Sequence, residues 1–281
     1  MIQPVLRDDQ FLADVQRAGE AGDRLHIWWL GQSGYLVQWQ GWHLLLDPYL
    51  SDSLTEKYAA TDKPHIRMTA RVVAPQRLDF IDLVTSSHNH TDHLDGETLR
   101  PLMAANSGLQ LVIPEANRPF VAERLTCPPA WPVGLEAGQM VELAGFKLTG
   151  IPAAHEALEQ DQAGRHKFLG YVVQAGPWTL YHSGDTIWYQ GLVEQLAPWS
   201  IDVAMLPING SRPERRVAGN LDGPEAARLA RQIGAGLVTP CHYEMFTFNT
   251  ASPAAFVAEA ERLGQPYQLL QAGQRWSSPA R

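Results

Sequence analysis

Disulfide frameworks, membrane spans, secretion leaders and basic surfaces all need residues that this sequence lacks. Cys127 and Cys241 are its only cysteines in 281 residues. They are too few for a stapled scaffold and fit a reduced, cytoplasmic setting. No stretch approaches the roughly 18 apolar residues of a spanning helix, so no membrane partner is expected. The opening "MIQPVLRDDQFLADVQ" puts acids where a signal peptide needs a positive end and an apolar run. A net charge of −8 argues against a general nucleic-acid binder, whose affinity rests on a basic surface. Repeats, low-complexity tracts and linkers are also missing, which makes residues 1–281 one expected domain.

What remains has the composition of a globular chain, 45% hydrophobic and 19% charged. A short helix is predicted near residues 8–19. "LHIWWL", "GYLVQWQ" and "WHLLLDPYL" read as a meander of strands, punctuated by Gly31, Gly34 and Gly41. Residues 51–70 are polar and without a period, and read as a loop. Strand-like "FIDLVTSS" leads into a histidine cluster, then "DGETLRPLMAA" reads as a helix capped by Asp95. "LQLVIP" and "EANRPFVAERL" make a strand and a helix. Two hairpins follow, turning at Ala144-Gly145 and Gly176-Pro177, and αβ units close the chain. Strands first, then hairpins and αβ units, point to two sheets faced by helices.

"TSSHNHTDHLD", residues 85–95, is the most informative stretch. Alternate residues of an extended segment point the same way, so His88, His90 and Asp92 can share a target. Imidazole with carboxylate suits zinc, manganese or iron. Three more candidates each end a strand: His155 after "LTGIPAA", Asp185 after "TLYHSG" and His242 after "LVTPC". Loops at strand ends carry function on a rigid frame.

With "HNHTDH", "AAHE", "SGDT" and "PCHYEMF" in this order, the chain resembles a metallo-β-lactamase-fold hydrolase. "WWLGQSGYLVQ", "LLLDPYLSDS", "YHSGDT" and "LPINGSR" resemble the branch that contains L-ascorbate-6-phosphate lactonase. The resemblance spans roughly residues 26–250. It implies an α+β fold, a four-layer αββα sandwich, with two divalent metal ions. One ion would be held by His88, His90 and His155, the other by Asp92, His93 and His242, with Asp185 bridging. Zinc and manganese suit the ligands equally, and the motif leaves iron open. Flavodiiron proteins, however, usually have a glutamate where this chain has His90. Asp92 and Asp185 are the implied catalytic carboxylates. Such ions lower the pKa of bound water from 15.7 to about 7 and so supply hydroxide at neutral pH. Asp47, which also ends a strand, is expected to orient a ligand imidazole, with a plain turn aspartate as the alternative. His182 either lines the site or packs.

"NGSRPERR" concentrates Arg212, Arg215 and Arg216 in an acidic chain, and guanidinium forks match phosphate or carboxylate. These three, with Tyr243, are the expected contacts to a small anionic substrate. Trp188, Tyr189 and Phe246 are further wall candidates. Residues 51–70, with Lys57, Tyr58, His65 and Arg67, are a candidate lid. The leading expectation is hydrolysis of a lactone, ester or amide. A phosphodiesterase of the same superfamily is the alternative, ahead of an iron-dependent oxidoreductase or a non-catalytic binder. Assembly into a homo-oligomer stays open.

Overall fold

The computed structural model describes residues 1–281. Helix α1 (Asp9–Gly19) precedes an antiparallel meander of β1 (His26–Gly31), β2 (Gly34–Trp39) and β3 (Trp42–Leu46). A short helix α2 (Ser53–Tyr58) is followed by β4 (Leu83–Thr85), α3 (Gly96–Ala105), β5 (Gln110–Pro114), α4 (Arg118–Leu125) and β6 (Val133–Leu135). The second half has the same plan. Strands β7 (Met140–Leu143), β8 (Phe146–Pro152), β9 (Leu169–Ala175) and β10 (Trp178–His182) form a meander. Then come α5 (Leu192–Leu196), β11 (Val203–Pro207), α6 (Gly223–Gln232), β12 (Leu237–Cys241), α7 (Ala254–Leu263) and β13 (Arg275–Ser277).

The strands form a 7-stranded sheet, ordered β13-β1-β2-β3-β4-β5-β6, and a 6-stranded sheet, ordered β12-β11-β10-β9-β8-β7. Alternation along each strand explains the packing. In β1, Ile27 and Trp29 face the inter-sheet core, whereas Trp28 and Leu30 join a second core with the helices. Helix α1 closes that side through Phe11, Val15 and Ala18, and the Asp14 carboxylate accepts Trp28 Nε1–H at 3.0 Å. Burying a side chain such as Phe11 stabilises by about 1.5–3 kcal/mol. On the far side Ala226, Leu229 and Phe256 of α6 and α7 cover the second sheet. This is the expected αββα sandwich.

Strand direction places the site. Strands β3 and β4 are parallel, as are β10, β11 and β12, while β8 and β10 both run antiparallel to β9. Their carboxyl ends therefore meet at one rim of the sandwich, the usual ligand edge of such sheets. The two hairpin turns fall at Ala144-Gly145 and Gly176-Pro177, between registered pairs Leu143↔Phe146 and Ala175↔Trp178. Residues 51–70 are not all loop, because α2 occupies Ser53–Tyr58 and buries Leu54 beside Tyr49, Met245 and Phe246. That apolar pocket, rather than any periodicity, stabilises so short a helix. Strands β6 and β13 and helix α5 had no signal in the sequence for the same reason: they are short and ordered by neighbours. No helix is long and apolar enough to cross a membrane.

Candidate metal centre

Segment 88–93 is not extended, contrary to the expectation. It folds into bends and turns, with His93 and Leu94 N–H both donating to the His90 carbonyl. Convergence therefore comes from the turn and not from strand alternation. Arg124 on α4 holds both ends of it, donating through Nη1 to the carbonyls of Asn89 (2.7 Å) and Leu94 (3.1 Å).

The other strand ends deliver their side chains by local backbone constraints. Gly184 turns the chain before Asp185 with φ +58, and a Cβ there would meet Ser87 Cβ at 2.6 Å, so glycine lets the two loops touch. Gln32, Asp47 and His242 also lie in the left-handed region, at φ 52, 40 and 65. That conformation costs a non-glycine residue about 1–3 kcal/mol and collects where geometry serves function. At Gln32 and His242 hydrogen bonds lock it: His242 N–H donates to the Gln32 carbonyl at 3.0 Å, and so does the Trp29 side chain through Nε1–H.

Three overlapping donor groups result: His88, His90 and His155; His88, His93 and Asp185; and Asp92, His93 and His242, with each group's ligand atoms within 4.8 Å of one another. The Asp185 carboxylate is 3.4 Å from His93 Nε2, 3.5 Å from His155 Nε2 and 3.3 Å from His242 Nε2. Asp92 Oδ2 is 3.6 Å from both His93 Nε2 and His242 Nε2. These gaps exceed a good hydrogen bond. They match the roughly 3.3–3.4 Å edge of a tetrahedral shell with metal–ligand bonds of about 2.0–2.1 Å. His88 Nε2, His93 Nε2 and Asp185 Oδ1 are buried without any hydrogen-bond partner. Buried polar atoms are seldom left so, and a shared cation would satisfy all three.

Ring orientation is set from behind. His93 Nδ1–H donates to Asp47 Oδ2 at 2.7 Å, and His155 Nδ1–H to the Gly219 carbonyl at 2.7 Å. Ser87 Oγ–H donates to Asp47, so the hydroxyl can accept only from His88 Nδ1, 3.0 Å away. In all three rings Nε2 is thereby the nitrogen turned toward the centre, where it offers a lone pair once the ring is neutral. Asp47 also accepts Thr85 Oγ1–H at 3.1 Å and Ser87 N–H at 3.0 Å.

Charge follows geometry. Burial disfavours ionisation of Asp185 and Asp92, but neighbouring imidazoles (His242 and His93) outweigh it and hold both carboxyls well below the usual range. Burial likewise opposes charge on His93 and His242. The facing carboxylates, Asp185 foremost, reverse this, pushing His93 well above the ordinary imidazole range and His242 up to about 9. Raised folded-state values stabilise below the unfolded pKa, near 6.5, and that stability is lost as pH rises through the folded value. Metal-free protein should therefore lose about 3 kcal/mol from His242 alone between pH 6.5 and 9, lowering Tm by roughly 5–10 °C. Protein saturated with zinc should lose much less, since the cation replaces the protons. Parallel pH–Tm curves for the two forms would contradict this.

The remaining expected contacts divide. Arg216 lines the cleft above the donors, together with Lys57, Lys63 and Arg124. Arg212 is exposed and not in the cleft lining. Arg215 is used internally, donating to the carbonyls of Asn209 (2.6 Å) and Thr250 (2.9 Å) and to Asn249 Oδ1 (3.1 Å). The three-arginine clamp is thus corrected to a mixed lysine–arginine wall. Tyr243 is not a substrate contact: it is buried, stacks on Trp29 at 4.6 Å, and its hydroxyl donates to the Leu270 carbonyl at 2.6 Å. Trp188 and Tyr189 pack on the core, whereas Phe246 does line the cleft. His182 packs: its Nε2–H donates to the Ser33 carbonyl at 2.9 Å, and it bonds to no donor residue. Of the lid candidates, Lys57, Tyr58 and His65 line the cleft, but Arg67 staples its own segment to Asp52 (2.6 Å) and to the Thr69 carbonyl (3.1 Å). Gln32 was missed altogether. Its amide Nε2–H donates to Asp92 Oδ2 at 2.8 Å and lies 3.0 Å from His242 Nε2; the one local mark of it in the sequence is its place between Gly31 and Gly34 in "GQSG".

An imidazole–carboxylate cluster able to bind metal, at one rim of an αββα sandwich, defines a metal-dependent hydrolase. The model of a family described as the beta-lactamase superfamily domain matches residues 43–243, and the chain belongs to that superfamily. A UPF0173 metal-dependent hydrolase of Pyrobaculum neutrophilum is 30% identical over 243 residues, covering 86% of this chain and 94% of the relative. Another, from Opitutus terrae, is 28% identical over 254 residues, covering 89% and 98%. The fold also matches the isothiocyanate hydrolase from Delia radicum gut bacteria, with TM-score 0.72 and 17% identity over 91% of this chain and 100% of that one.

Proposed function

We propose that the chain hydrolyses a lactone, ester or related amide of a small carboxylated or phosphorylated molecule, using a pair of zinc or manganese ions. The observation that carries this reading is one cleft of about 570 Å³, lined by His90, Asp92, His155, Asp185 and His242 and by the cations Lys57, Lys63 and Arg216, the last also paired with Asp62. The volume suits a metabolite-sized ligand. Cations on that wall stand out in a chain of net charge −8. The resemblance to the L-ascorbate-6-phosphate lactonase branch makes lactones the first class to test, and the net charge of −8 weighs against nucleic acid.

Such ions, when bound, polarise the scissile carbonyl and lower the pKa of water. His88, His90 and His155 would hold one of them, Asp92, His93 and His242 the other, with Asp185 between. The protein's own contribution is orientation. Asp92 accepts the Gln32 amide at 2.8 Å, which fixes its carboxylate toward His93 and His242. Asp47 and Ser87 keep His88 and His93 in one tautomer. Phe168 packs against His88 at 5.0 Å and excludes water from that flank.

The wall predicts charge selectivity. Lys57→Ala and Arg216→Ala should each raise KM for 4-nitrophenyl hydrogen glutarate roughly tenfold, the effect of losing a charged hydrogen bond. Their KM for neutral 4-nitrophenyl acetate should stay unchanged. Equal losses on both esters would remove the anion-binding wall. Faster turnover of bis(4-nitrophenyl) phosphate than of any ester or lactone would replace this reading by a phosphodiesterase.

A further inference from the structure

His65 belongs to none of the donor groups, yet it lines the same cleft as Asp92, Asp185 and His242. It sits beyond α2 in the segment that forms the cleft wall. Its ring is held between Tyr58 at 4.4 Å, Phe248 at 5.0 Å and Phe246 at 5.3 Å. One edge is tied down: Nδ1–H donates to the Lys63 carbonyl at 2.7 Å. A carbonyl only accepts, so Nδ1 carries the hydrogen and Nε2 carries a lone pair. The protein offers that Nε2 no partner.

We propose that His65 moves the proton in hydrolysis, taking it from the attacking water and returning it to the leaving oxygen. The inference rests on the hydrolase reading above. The balance is simple. One proton of the water passes to Nε2 before attack, a loss that solvent can also accept at the lowered pKa of bound water, and the water oxygen then forms a bond to the carbonyl carbon. The bond from that carbon to the leaving oxygen then breaks, and the proton passes from Nε2 to that oxygen. No proton is gained or lost, and nothing is oxidised.

Three features favour His65 for this work over its neighbours. The carboxylates and imidazoles below it are occupied with one another at 3.3–3.6 Å, as a metal shell requires. Lys57 and Lys63 are cations without an acceptor. Burial lowers the His65 pKa below 6.5, which keeps the ring neutral and able to accept at neutral pH; the bond to the Lys63 carbonyl and Asp92 raise it, while His242 and Lys57 lower it. A ring in the cleft lining with its tautomer fixed and one nitrogen unpartnered is what a general base needs, geometry first.

Leaving-group dependence separates this role from mere packing. His65→Gln, loaded with zinc, is to be compared with the parent on phenyl and 4-nitrophenyl hydrogen glutarate. Phenoxide needs the proton and 4-nitrophenoxide hardly does. The phenyl ester should lose about 10²-fold or more in kcat, and the 4-nitrophenyl ester under about fivefold, with bound zinc unchanged. Equal losses on both would mean that the ring only packs, and would overturn the proposal. Should the variant fold poorly, the nitrogen-15 spectrum of the parent's histidines decides independently. The expected tautomer at His65 is Nδ1–H, and Nε2–H there would sink this role alone. Absence of turnover with every ester, lactone and amide would instead remove the hydrolase reading, and this role with it.

Discussion

Asp185→Ala is expected to strip the centre of metal and to lower hydrolysis by at least about 10³-fold while the sandwich still folds. Its carboxylate is the one group within 3.5 Å of the Nε2 atoms of His93, His155 and His242. Removing it therefore loosens every donor group at once. Loss of several kcal/mol of charge stabilisation corresponds, at about 1.4 kcal/mol per tenfold, to that fall in rate. The side chain contributes little apolar burial, and its neighbours sit on strands anchored elsewhere, so circular dichroism should be unchanged. Elemental analysis beside a rate measurement checks this. Near-parent activity in a variant shown to lack metal would end the metal mechanism altogether.

Asp47→Ala should have the next largest effect, this time on stability as well as on metal. The carboxylate is fully buried and accepts from Thr85 Oγ1, from Ser87 N–H and Oγ, and from His93 Nδ1. Alanine leaves those donors unsatisfied, at a cost of about 3–5 kcal/mol in urea unfolding. Metal affinity should fall 10–100-fold, because His93 and, through Ser87, His88 lose their fixed tautomers. Asp47→Asn keeps an acceptor of the same shape and should fall between. Unchanged affinity in a chelator competition with Asp47→Ala would show that ring orientation is set by something else.

The architecture was legible where local pattern is strong. Alternation in "HIWWLG" and "GYLVQW", turn residues at Ala144-Gly145 and Gly176-Pro177, and a capping aspartate at Asp95 each act over a few residues. The structure keeps them, Asp95 accepting from Glu97 N–H at 3.3 Å. Elements of three to five residues, such as α5, β6 and β13, carry too few positions for a period to emerge. The donors were legible in kind and order. Alternation along an extended "HNHTDH" would bring them together, but the segment is a turn held by Arg124, a residue 30 positions from Leu94. Arg212, Arg215 and Arg216 look alike in the sequence. Only Arg216 reaches the cleft, because Arg215 meets the Asn209 and Thr250 carbonyls first.

Composition, alternation and the order of histidines and aspartates fix the layers, the strand ends and the kind of atom that each strand end can offer, because these depend on neighbours one to four residues apart. The folded chain settles which side chains are free to act. Hydrogen bonds to the carbonyls of Thr250 and Leu270 tie up Arg215 and Tyr243, partners 35 and 27 positions away that leave no local mark, and the rings of Phe246 and Phe248 that hold His65 in the cleft wall are more remote still.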